Sequence, residues 1–79
     1  MNLDMEGEVY KKIADFLQVS ENQLREKDDL ILDFKINSLD LIRLLVFLEE
    51  SYNIRYDEMK YHSLLSVSSI VKETMQLVK

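Results

Sequence analysis

The sequence predicts an all-α protein, a small bundle of three main helices plus one short helix, with a long first loop. Three observations predict it. Glycine occurs once and proline never, so the punctuation of strands and hairpins is missing. Apolar residues recur at helical spacing in three separate segments. The 79 residues contain no cysteine, so neither a disulfide framework nor a cysteine zinc site can staple the fold. With 47% apolar residues a core can form, and in a chain this short it must be one compact core in one domain, residues 1–79.

The first helix is expected from about Asp4 to Gln18. Met5, Val9, Ile13, Phe16 and Leu17 make one apolar stripe. Acids at 4, 6 and 8 precede lysines at 11 and 12, in agreement with the helix dipole. The run "SENQ", 20–23, has the form of a capping box, so a short helical turn can follow it. Residues 25–37 read as a long ordered loop, pinned to the bundle by Leu30, Leu32, Phe34 and Ile36. Their alternation also suits a strand, but no second strand offers pairing.

The second main helix is expected from Ser38 to Tyr52, with Asn37 as N-cap and Asp40 in the first turn. A connection follows over 53–65, with a short helix around Glu58 to His62. Ser66 caps the last helix, whose buried face is Val67, Ile70, Val71, Thr74, Leu77 and Val78.

On a helical wheel, Leu41, Leu44, Leu45, Leu48 and Tyr52 define the core face of the second main helix. Asp40, Arg43 and Glu50 lie roughly opposite, with Phe47 among them and Leu39 and Val46 at the flanks. A one-sided amphipathic helix does not need that second apolar group. Two readings are open. The 25–37 loop can fold over Leu39 and Val46, with Phe47 shielded by its neighbours. Alternatively, Leu39, Val46 and Phe47 form a docking surface with a charged rim of Asp40, Arg43 and Glu50.

Ser38 has no partner for nucleophilic catalysis in the sequence. His62 is the one histidine, best read as a surface or partly packed side chain, and the glycine-flanked turn of a nucleophile elbow is absent. Asp28, Asp29 and Asp33 do not match calcium-loop spacing, and no metal site is expected. At a helix N-terminus Ser38 suits the role of acceptor for a phosphate-linked group, facing free amides and the positive end of the dipole. The plainer alternative is that Ser38 caps the helix.

The stretch "INSLDLIRLLVFLEESYNI" resembles the attachment region of the acyl carrier protein family. In that family an acid-serine-leucine triplet, commonly followed by an acid, opens a helix that ends in a leucine, two acids and an aromatic. Here the counterparts are Asn37, Ser38, Leu39 and Asp40, then Leu48, Glu49, Glu50 and Tyr52. Val67 falls where the family has a valine opening its last helix. The correspondence runs without a gap from about Asp33 to Val78, and the first helix matches in pattern only.

The resemblance implies a non-catalytic carrier with a four-helix bundle fold. It implies that Ser38 bears 4'-phosphopantetheine, attached by a phosphopantetheinyl transferase that uses coenzyme A and magnesium. The arm's thiol would hold acyl or aminoacyl groups as thioesters, and the partners would be acyl-loading, ketosynthase or condensing enzymes of polyketide, fatty acid or mixed peptide biosynthesis. Three positions depart from the pattern: Asn37 replaces the usual acid, Lys35 a common glycine, and Arg43 an acid. All three weaken the acidic character by which family members are recognised, which favours a dedicated carrier of a specialised pathway. An unmodified interaction module and a peptidyl or aminoacyl carrier are the alternatives.

The net charge of -5 argues against nucleic acid and anionic membrane as partners. No long uncharged apolar segment occurs, and "MNLDMEGEVYKK" does not read as a signal peptide. The expectation is a cytoplasmic monomer.

Overall fold

The computed structural model describes residues 2–78 and, within them, the side chains of all but residues 2–4 and His62. The expectation for the His62 side chain and the dipole role given to Asp4 lie outside the described residues. The chain is helical as predicted: α1 (Asn2–Leu17), α2 (Glu21–Glu26), α3 (Ser38–Tyr52), a 3-10 helix (Glu58–Ser63) and α4 (Val67–Val78). Three of these are long. The described residues contain no strand, and a single isolated antiparallel bridge joins Asp29 to Ser66.

The helix ends have local causes. Gln18 leaves α1 with φ 59°, and the amide of Val19 donates to the carbonyl of Ala14 at 3.0 Å, which stops the helix one residue earlier than expected. Asn53 ends α3 in the same left-handed conformation, with the amide of Ile54 on the carbonyl of Glu49. Ser20 and Gln23 form the expected reciprocal capping box, and α2 is the short turn it starts. Asp57 caps the 3-10 helix by accepting from the Met59 amide.

α1 packs against α4, α2 and α3. The core comprises Val9, Ile13 and Ala14 of α1, Leu24 of α2, Leu41, Leu44, Leu45 and Leu48 of α3, and Val67, Ile70 and Val71 of α4. Three residues from the connections, Leu30, Tyr56 and Leu64, are buried with them. Tyr52, expected on the core face of α3, is half-buried at its edge, where its hydroxyl donates to Glu8. Thr74, the one buried polar side chain among the described residues, donates to the carbonyl of Ile70. That uses its single proton, so the Tyr56 hydroxyl donates to the Thr74 oxygen.

Two expectations about burial are corrected. Leu32 does not pin the long loop; it is 75% exposed. Residues 29–33 turn back on themselves, because the Asp29 carboxylate accepts from the amides of Ile31 and Leu32 and the Asp33 amide donates to the Asp29 carbonyl. Alternation along an extended chain therefore does not apply there. Leu30 holds the loop instead, with Phe34 and Ile36 half-buried. Leu77 and Val78 are also exposed. Thr74 is the last fully buried residue of the α4 stripe, and the final turn carries the same face past the packed core.

A long-range cap fixes the loop to α4. Ser66 caps α4 as expected, accepting from the amide of Ser69. Asp28 adds to it from 40 positions away: its carboxylate accepts from the Ser68 amide and the Ser68 hydroxyl, each at 2.8 Å. The Leu30 amide donates to the Leu65 carbonyl and the Val67 amide to the Asp28 carbonyl, and these define the bridge.

Candidate functional site

Ser38 is the first residue of α3, and its side chain is exposed. The capping task belongs to its neighbour. Asn37 has extended backbone angles, and its side-chain oxygen accepts from the Asp40 amide at 2.8 Å. The alternative in which Ser38 itself caps the helix is thereby excluded. Its hydroxyl stands at the positive end of a 15-residue helix held on the core by Leu41, Leu44, Leu45 and Leu48.

Beside Ser38 opens an apolar groove of about 380 Å³. Leu41 forms its floor and Ile31, Ile42 and Leu65 its rim. Among the described residues the polar groups lining it are Ser38, Glu58 and Tyr61. Burial, followed by the nearby charges of Glu49 and Glu58, holds the Tyr61 hydroxyl above its ordinary pKa. No cluster of metal-ligating side chains occurs among the described residues. The carboxylate of Asp28 is occupied by Ser68, and that of Asp29 by the amides of its own turn.

The residues of the docking reading differ in exposure. Leu39 and Val46 are 55% and 40% exposed, so the 25–37 loop does not cover them. Arg43 and Glu50 are exposed, and Asp40 is half-buried. For Phe47 the structure matches the shielded reading and not the docking one: it is a half-buried side chain packed on the core, its ring 5.6 Å from that of Phe16. Because α1 ends beside the start of α3, it shields a position that the wheel of α3 alone assigns to solvent.

Sequence reasoning missed the groove. Ile42, 43% exposed, was within reach of it, since a wheel puts it on the Ser38 side of α3. Ile31, Glu58, Tyr61 and Leu65 come from two connections, and only tertiary contacts bring them there.

No model of a protein family matches the chain. Individual proteins do. An acyl carrier protein of Chlamydia muridarum is 31% identical over 89% of this chain and 91% of its own length. One from Buchnera aphidicola is 31% identical over 85% of this chain and 86% of its own. The chain belongs to the acyl carrier protein family. A further acyl carrier protein, of Chlamydia caviae, is 29% identical over 87% of this chain. Membership makes the protein a carrier and not an enzyme. No described helix of this acyl carrier protein is long and apolar enough to cross a membrane.

Proposed function

We propose that Ser38 carries 4'-phosphopantetheine as a phosphodiester and that the protein delivers acyl groups, or aminoacyl groups, to biosynthetic enzymes. The observation that carries this reading is the exposed Ser38 hydroxyl at the start of α3, relieved of capping by Asn37 and bordering an apolar groove. The site fits the group. A phosphodiester on Ser38 meets the free amides and dipole of the first turn of α3, without a competing carboxylate directly before it. The arm supplies a terminal thiol that holds cargo as a thioester. The chain itself has no cysteine, so the thiol comes with the arm. A phosphopantetheinyl transferase makes the Ser38 Oγ–phosphorus bond with coenzyme A as donor. Acyl-loading, ketosynthase or condensing enzymes then dock on α3.

The departures at Lys35, Asn37 and Arg43 support a dedicated carrier of a specialised pathway, polyketide or mixed peptide assembly, acting as a cytoplasmic monomer. Intact mass after incubation with coenzyme A, magnesium and a broad-specificity transferase tests the attachment. The expected result is a gain of one phosphopantetheine in the wild type and none in Ser38→Ala. A folded wild type that several transferases leave unmodified would make the protein an unmodified interaction module.

A further inference from the structure

Along α3, Leu39, Arg43, Val46 and Glu50 follow at spacings of four, three and four, so they form one outward stripe. All four are exposed. Arg43 is the middle of it, one turn from Leu39 on one side and from Val46 on the other. It makes no ion pair among the described residues, although Asp40 lines the same shallow groove at the end of α1. It is the one basic side chain of α3, set between two exposed apolar side chains on a protein of net charge -5.

We propose that Arg43 is the specificity-determining contact of this stripe. The occupant is a partner enzyme that covers Leu39 and Val46 with an apolar patch and sets an Asp or Glu carboxylate against the guanidinium. The inference rests on the carrier reading of Ser38. Charge complementarity selects this occupant: a basic docking patch meets Arg43 with like charge exactly where the apolar contact would desolvate it. A lipid surface or a nucleic acid is disfavoured by the net charge.

The test uses the holo protein and the malonyl transferase of a type II fatty acid synthase, a partner with a basic docking patch. Arg43→Glu is expected to raise kcat/KM for loading about tenfold, mainly through KM. Lys72→Glu on α4 makes the same change in net charge away from the stripe and is expected to leave loading as it was. Reversing a basic residue of the transferase patch to Glu is expected to restore loading of the Arg43 protein, and Leu39→Ala to weaken it in both backgrounds. Equal loading of Arg43→Glu and wild type, or an equal gain from Lys72→Glu, would overturn the proposal. So would sedimentation showing a dimer that Arg43→Glu dissolves, because the stripe would then belong to a second copy. Failure of phosphopantetheinyl transferases to modify Ser38 at all would instead remove the carrier reading, and this inference with it.

Discussion

Lys35 has φ 55°, in the left-handed region that favours glycine, three residues before Ser38. The chain's one glycine, Gly7, lies inside α1, where a Cβ would meet nothing within 4 Å. Glycine is thus absent where the backbone asks for it and present where it weakens a helix. Gln18 and Asn53 hold left-handed positions too, but both are helix ends where that conformation closes the cap. Lys35 ends no helix; the amide after it, of Ile36, donates back to the Leu30 carbonyl at 3.2 Å, and the conformation that permits this is one glycine adopts without strain. Lys35→Gly is expected to stabilise the fold by about 0.5–1 kcal/mol, part of the relieved strain being offset by the freer unfolded chain. Urea unfolding checks this; a destabilised variant would mean that the Lys35 side chain makes a contact worth more than the strain.

At the scale of elements, the long loop owes its order to a helix it does not adjoin in sequence. Asp28 places a carboxylate on the N-terminus of α4, its own carbonyl accepts from the Val67 amide, and the Leu30 amide donates to the Leu65 carbonyl. The same pairing sets Ile31 and Leu65 at the rim of the groove beside Ser38. Asp28→Ala removes two hydrogen bonds and a favourable dipole interaction, and about 1–2 kcal/mol of stability should go with them. Amide exchange should quicken over residues 29–36 before it does in α1. Unchanged exchange there would mean that Leu30 alone anchors the loop.

At the scale of the whole molecule, Tyr56 ties the second connection to both α3 and α4. Its amide donates to the Glu49 carboxylate and its hydroxyl to Thr74. Burial, with the carboxylates of Glu49 and Glu73 nearby, pushes its pKa up from 10.0 to about 12. The unfolded chain therefore gives up this proton first. The resulting stabilisation is full below pH 10 and is lost as pH rises towards 12, on the order of 2 kcal/mol in all. Tyr52 is shifted the same way by burial and by Glu8. Tyr56→Phe should cost about 1 kcal/mol at neutral pH through the lost hydrogen bond, and should flatten the decline between pH 10 and 12. Thermal melts of both proteins across that range check it; parallel curves would assign the alkaline loss to other groups. The sequence by itself determined the helix types, the caps at Ser20, Asn37 and Ser66, the buried leucines of α3 and the position of Ser38 at its start, because periodicity and capping act within a few residues. Only the tertiary structure decided that Phe47 turns to Phe16, that Leu32 faces solvent, that Asp28 caps α4 and that two distant connections complete a groove beside Ser38. The Phe47, Asp28 and groove outcomes depend on which surfaces meet between segments distant in sequence, and the Leu32 outcome on a turn closed by Asp29 that apolar alternation does not register.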